Sequence, residues 1–402
     1  MTEARERTAN LGAGPSMLPT PVVLEASQGF IDFQGMGMGV AEISHRSSAF
    51  LNIIHAAEGD LRKLLDIPDE YAVLFLQGGG TEQFSATVLN LLAAHAAKHS
   101  PDAPAPPIDY VLSGSWSTKA FKEGVRLAPR VNVACDMRPH AKDASRSIPT
   151  PDQWSLSNVD EHPAMLYYCD NETVDGFEFP KGFIQKLPAA YRERVPIVAD
   201  CSSNILSRPI DIRAHAVVFF GAQKNVGPSG LTIAIVRRDL VVDPDVVRTT
   251  YTPVIPTTLV YKHFMDNDSL YNTPSTFPIY VSHIVFRDLL QNGGVARAEE
   301  RAFARSRLVY DAIERHKQRY RAVVPHEDFR STMNIPFRIL DPATGEPDAG
   351  AEARFIALCA EHHIVQVKGH RSVGGVRASL YNASTLEHAE RFARLMDEFA
   401  AN

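Results

Sequence analysis

The feature that most constrains the fold is a recurring unit: a short apolar run that ends in small or polar residues and leads into a helix-length stretch. It occurs at 71–76 (YAVLFL), 110–112, 131–135, 165–169 (MLYYC), 196–199 (PIVA), 216–220 (AVVFF) and 231–236. Such runs suit buried strands, and their alternation with helical stretches is the pattern of a mostly parallel sheet that takes its ligand at the carboxyl ends of the strands. The residues of interest all fall at those ends.

One end stands out. The run 216–220 leads into GAQKNVGPSG, residues 221–230, which presents a single lysine, Lys224, among glycines. Partial burial lowers a lysine pKa, so this is a suitable place for an amine that must lose its proton and condense with an aldehyde. By itself the stretch also reads as a surface turn. Asp200, at the end of 196–199, is placed to keep a pyridine nitrogen protonated, or else simply to cap a helix. After 71–76, Gln77-Gly78-Gly79-Gly80-Thr81 precedes a helical pattern over about 83–98. Strand, glycine turn and helix start form a phosphate cradle in which backbone N–H groups face the anion. The absence of Gly-Lys-Ser/Thr excludes a Walker A loop, and a ligand-free tight turn stays open. Trp116 sits past the strand end at 112, where an aromatic can stack on a flat ring or fill the core. Asp170-Asn171-Glu172-Thr173 brings amide and hydroxyl groups to a further strand end.

A chain of 402 residues that is 45% hydrophobic is long enough for a large core and for two domains, the smaller beginning near residue 300 where the pattern changes. The net charge of -6 argues against an electrostatically driven nucleic-acid binder, while leaving room for a local cationic cluster around a small anion. The first ten residues are polar with mixed charges, and no apolar run is long enough for a membrane span, so a cytoplasmic protein is expected. Cys135, Cys169, Cys201 and Cys359 show no C-x-x-C pairing and read as reduced thiols. Cys359, His362 and His363 would share a helical face, as ordinary packing with a histidine pair rather than a metal site.

Taken together, GPSMLP, SHR, QGGG followed by QF, NETVDG, AQKNVGPSG, NTPSTF, GHRSVGG and VRASLYNA resemble, in order, the motifs of the phosphoserine aminotransferase family. The resemblance covers almost the whole chain. It implies an α/β protein of fold type I, the fold of pyridoxal 5'-phosphate (PLP)-dependent transferases. The large domain would hold a mainly parallel seven-stranded sheet and the small C-terminal domain would be α/β. On this reading residues 1–15 form an arm packing with the small domain, 16–299 the large domain and 300–402 the small one, in a homodimer with shared active sites.

Carried over by position, the resemblance makes Lys224 the Schiff-base lysine, Asp200 the partner of the pyridine nitrogen and Trp116 the stacking ring. It gives Thr173 a bond to the ring hydroxyl region, and Gly80, Thr81 and Gln223 the cofactor phosphate, with Asn272 and Thr273 reaching it from the neighbouring subunit. His45, Arg46, His370, Arg371 and Arg377 would bind the substrates, L-glutamate and 3-phosphohydroxypyruvate, in a step of L-serine biosynthesis. Thr81-Glu82 departs from the family's usual Arg-Gly or Cys-Gly, so Glu82 is expected to turn to solvent or meet a cation. Segments 138–153 and 341–350 carry no motif. A cysteine desulfurase of the same fold needs a nucleophilic cysteine on a mobile loop, whereas Cys359 lies in a helical pattern. A non-catalytic phosphate binder would use only the QGGGT turn.

Overall fold

In a computed structural model of the chain, residues 2–247, 249–252 and 254–401 are described. Met1, Arg248, Pro253 and Asn402, which fall within the three expected segments, lie outside the described residues. The main sheet is built from β1 (Tyr71–Gly78), β2 (Ile108–Leu112), β3 (Val131–Asp136), β4 (Met165–Cys169), β5 (Ile197–Asp200), β6 (Val217–Gly221) and β7 (Gly230–Arg237), in the order β1-β7-β6-β5-β4-β2-β3. β7 runs antiparallel to both its neighbours, and the remaining pairs are parallel. Each apolar run of the sequence is a strand of this sheet.

The continuity of those runs has a direct cause: both faces of the sheet are covered. Val73, Phe75, Leu166, Tyr168, Val218 and Phe220 enter one apolar cluster, together with residues of α2 (Ser48–Leu65) and α5 (Thr276–Gln291). Their chain neighbours Leu74, Leu76, Met165, Tyr167, Val217 and Phe219 enter a second, with residues of α3 (Gly80–Lys98) and α4 (Ser115–Leu127). Successive strand side chains point to opposite faces, so a strand buried on both sides has no polar alternation.

A third cluster lies around a small antiparallel sheet, β8 (Tyr320–Ala322), β9 (Asn334–Ile339) and β10 (Val376–Ser379), with β9 central. α7 (Ala349–Glu361) and α8 (Leu386–Ala401) pack onto it, and so does the N-terminal arm, where Ala9–Asn10 pairs in parallel with Ile364–Val365. Residue 300, where a boundary is expected, falls inside α6 (Gly294–Arg315). This helix contributes Val295 to the first cluster and Val309, Ala312 and Ile313 to the third, so a helix and not a loop joins the two cores.

Three sequence readings change in detail. α3 begins at Gly80, three residues earlier than the apolar pattern indicates, because its first turn is the glycine-rich cradle itself. The segment 138–153 contains a short helix, Arg138–Ala141, and a turn, Pro151–Gln153. α7 stops at Glu361, with His362 as its cap and His363 at φ +57°, so Cys359 and the two histidines do not share a helical face. Among the described residues no group of three or more His, Cys, Asp or Glu is arranged to hold a metal ion, and no helix is long and apolar enough to cross a membrane.

Phe337 is fully buried among Tyr320, Phe355 and Phe392. Phe337→Ala removes contacts on three sides and should cost about 3–5 kcal/mol in denaturant unfolding; a loss below about 1 kcal/mol would show that these rings are not close-packed.

Candidate active site

The carboxyl ends of β1, β2, β4, β5 and β6 surround a cavity of about 310 Å3. Lys224 enters it three residues after β6, on a turn held by Val226 and Gly227 N–H groups donating to Ala222 O. The N-terminal arm covers that turn: Ser16 Oγ donates to Lys224 O at 2.6 Å, and Ser16 N to Gln223 O at 2.9 Å. The Lys224 side chain is only 7% exposed, and its Nζ donates to Thr173 Oγ1 at 2.7 Å. Burial lowers its pKa to about 8, against an upward pull from Asp200.

Asp200 ends β5 and is 5% exposed. Its Oδ1 accepts from Ser202 N at 2.9 Å and Ser202 Oγ at 2.6 Å, and its Oδ2 from Tyr167 at 3.3 Å. Burial pushes this carboxyl up, while the Ser202 bonds and the Lys224 charge hold it down. The two groups therefore depend on each other: the carboxylate opposes the fall in the amine's pKa, and the amine's charge opposes the rise in the carboxyl's.

Opposite them stands Trp116, in the first turn of α4, with its ring centre 5.9 Å from Lys224 Nζ. Its indole Nε1 is buried without a partner. What fixes the ring is a pair of carboxylates from the β4 end. Glu172 accepts from Trp116 N at 2.8 Å, Ser117 N at 2.9 Å and Ser117 Oγ at 2.6 Å, and Asp175 accepts from Ser115 N at 2.7 Å. They satisfy the orphan N–H groups of the helix start. A Cβ on Gly114 would fall within 2.6–2.8 Å of those side chains, so only glycine permits the approach. Lys142, from the segment without a motif, pairs with Asp175 at 2.8 Å. Glu172 is fully buried, and burial together with Asp175 raises its pKa.

Gly79, Gly80 and Thr81 form the cradle at the N-terminus of α3. A Cβ at Gly80 would come 3.2 Å from Ser202 Oγ, so the bare backbone keeps that wall open. Glu82 is exposed, lies over Gly78 and forms no ion pair among the described residues, which meets the expectation that it turns to solvent. At the mouth, His370 and Arg377 line the cavity, and Arg377 Nη1 donates to Thr173 O at 3.3 Å. Arg377 forms no ion pair among the described residues, and desolvation lowers its pKa; His370 is lowered too, by desolvation and then by the charges of Arg377, Lys119 and Arg371.

Lys224, Asp200, Trp116, Thr173, Gly80, Thr81, Gln223, His370 and Arg377 thus come together around one space. His45, Arg46, Asn272, Thr273 and Arg371 do not line it in the single chain. Arg371 is exposed, one residue beyond His370. Arg46 is exposed in the turn before α2, and His45 carries a buried, unpartnered Nε2. Thr273 O accepts from Gln77 Nε2 outside the cradle, and the neighbouring Asn272 Oδ1 is unpartnered. No role attaches to Ser202, Glu172 or Asp175 in the sequence, although the last two lie within NETVDG. Ser202 was visible directly after Asp200, but nothing in the chain announces that Glu172 caps a helix 55 residues away.

Residues 8–392 match the model of the family described as aminotransferase class-V. The phosphoserine aminotransferase of Drosophila melanogaster is 40% identical over 98% of this chain and 98% of its own. The chain belongs to the phosphoserine aminotransferase family. Solved members share its fold: the enzyme of Bacillus circulans subsp. alkalophilus superposes with a TM-score of 0.84 at 35% identity, covering 98% of this chain and 99% of its own. The PLP-bound enzyme of Trichomonas vaginalis gives 0.83 at 33% identity, covering 97% and 99%. As a member of this family the chain is a PLP-dependent aminotransferase of fold type I.

The residues present fit PLP. A buried carboxylate faces the cavity, an unpartnered indole N–H stands on its wall, a glycine helix start offers free N–H groups and a lysine amine is drawn toward neutrality by burial. These complement a protonated pyridine nitrogen, a flat ring bearing polar substituents, a phosphate and an aldehyde.

The sign of the Lys224 shift makes a testable statement. The amine is protonated below its pKa and nucleophilic above it, so labelling of Lys224 in apoprotein by an amine-reactive reagent should rise with pH through a midpoint near 8. Other, solvated lysines should follow about 10.4. Asp200→Asn removes the charge that raises the value and should move the midpoint downward; an unchanged midpoint near 10 in the native chain would show that the amine is solvated.

Proposed function

We propose that the chain catalyses reversible amino transfer between L-glutamate and 3-phosphohydroxypyruvate, giving O-phospho-L-serine and 2-oxoglutarate, in the biosynthesis of L-serine in the cytoplasm. The observation that carries this is the buried Lys224 facing Asp200 across a cavity whose mouth bears His370 and the unpaired Arg377. It joins with the names of the full-length relatives. Asp200 would hold the ring nitrogen, Trp116 one face of the ring and Thr173 its hydroxyl region. Gly80, Thr81 and Gln223 would hold the phosphate. The chemistry the cofactor supplies when bound is an aldehyde that condenses with amines and a ring that accepts the electron pair left when a Cα–H bond breaks.

The rest falls to the chain. Lys224, once its amine is free, takes the substrate Cα proton on Nζ and returns it in the reverse direction, which its lowered pKa suits. The two bonds from Ser202 to Asp200 favour its carboxylate form. Arg377 offers two parallel N–H groups to the carboxylate common to both substrates, an arrangement lysine cannot copy. His370 and Arg371, with His45 and Arg46, would meet the substrate phosphate. We assign residues 16–299 and 300–402 to two domains, supported by their separate apolar clusters, with the arm 1–15 on the smaller.

The site is completed by a second copy on this reading. Asn272 and Thr273 stand outside their own chain's cavity, and a broad apolar surface lies exposed on and beyond α1 (Thr20–Ile31). It includes Phe30 at 52%, Ile31 at 72%, Met36 and Met38, and Phe30 and Phe277 border an apolar hollow of about 470 Å3. Apolar surface of this extent is what a homodimer covers.

An acceptor panel tests the reaction. Hydroxypyruvate, which leaves the phosphate-binding cations unpaired, should lose about 10^4-fold in kcat/KM against its phosphate; equal use of both would overturn the substrate assignment. Mixed dimers test the sharing. Lys224→Ala and Asn272→Ala chains, each impaired alone, should recover activity when combined, because one of the two sites then has an intact lysine and an intact asparagine. No recovery in proven heterodimers would place both residues in one chain's site.

A further inference from the structure

A further cavity, of about 570 Å3, lies away from the active site between α6, the end of α5 and the segment leading into α8. Three buried polar atoms that find no hydrogen-bond partner among the described residues belong to residues of its wall: Arg305 Nε, Ser384 Oγ and Asn382 Oδ1. Arg305 is the decisive one. It is 3% exposed, and among the described residues its side chain makes only a long hydrogen bond of 3.4 Å from Nη2 to Leu380 O and pairs with no carboxylate. A buried guanidinium without a counter-charge is costly, and its fork is built for an oxyanion. Burial and the charge of Arg301 push its pKa down to about 10, so it remains a cation at neutral pH.

The surroundings lean the same way. Arg301, one turn earlier on α6, also lines the cavity and forms no ion pair among the described residues. Ser384, 3% exposed, presents its free hydroxyl beside Thr385, which caps the start of the sixteen-residue α8 by accepting from His388 N at 3.2 Å. The positive end of that helix adds to the attraction for an anion. Two acidic residues also stand on the wall. Glu300 is taken by Arg297, and Asp288, whose pKa burial raises, lies in the field of Arg287 and Arg301.

We propose that this cavity binds a small oxyanion of the phosphate or carboxylate kind, held by Arg305, Arg301 and Ser384 at the start of α8. Because α6 packs into both cores, and because Asn382 N donates to Asn225 Oδ1 beside Lys224, an occupant would tie the helix joining the cores to the turn of the active-site lysine.

The test uses the holoenzyme and inorganic phosphate, titrated by calorimetry at ionic strength held constant with chloride. Arg371→Ala serves as the control for phosphate binding at the active site. A saturable site should appear that persists in Arg371→Ala and weakens about tenfold in Ser384→Ala and in Arg301→Ala. Arg305→Lys keeps the charge without the fork and should weaken it as well. Both Ser384→Ala and Arg301→Ala change partly solvated positions or a single hydroxyl, and unchanged amino transfer in the absence of phosphate would show their fold intact. Phosphate binding equal to the parent in both variants, binding lost in Arg371→Ala alone, or no saturable binding at all, as for a cavity that holds only water, would overturn the proposal.

Discussion

The arrangement of the active site depends on one electrostatic bargain, the burial of the Lys224 amine beside the Asp200 carboxylate at the edge of the main sheet. Desolvation shifts each group toward its neutral form. Together each limits the other's shift, and Thr173 and Ser202 hold the two heads apart in fixed directions. The strand positions explain how two such groups come to face one cavity. β5 and β6 are neighbours running in the same direction, so their carboxyl ends deliver Asp200 and the turn of Lys224 side by side.

Around this pair the fold spends further buried charge on orientation. Glu172 and Asp175 cap α4 and thereby set the plane of Trp116, with Lys142 reaching in from a segment that looked like a plain connection. On the other side of Asn171, Arg208 lies between Asp170 and Glu178, and Asn204 donates to both carboxylates. Buried networks of this kind hold a surface rigid, although Asn171 Oδ1 and Asn204 Oδ1 in this one find no partner among the described residues. Trp116 Nε1 in the active site and Arg305 Nε in the second cavity likewise find none.

The division between the two apolar cores is bridged and not cut. α6 enters the core below the main sheet with Val295 and the core of the small sheet with Val309 and Ile313, and the arm from the chain start pairs with Ile364–Val365 before crossing the turn of Lys224. The small sheet itself carries Arg377, on β10, to the mouth of the active site.

The amino-acid sequence alone determined the seven strands of the main sheet, its mostly parallel character and the set of residues at the carboxyl ends, but neither the antiparallel setting of β7 nor the strands of the small sheet. Apolar runs without polar alternation arise only where both faces are buried, and strand-end Lys224, Asp200, Thr173 and Gly80 kept that chemistry in short, contiguous motifs. Only the tertiary structure decided the supports. That Glu172 caps a helix 55 residues earlier in the chain, that Lys142 neutralises Asp175 and that Arg305 is left without a counter-charge are properties of long-range burial, and burial of a single charged residue leaves no periodic signal. The same holds for Asn272 and Thr273, whose place outside their own chain's cavity follows from how the strand ends pack in three dimensions.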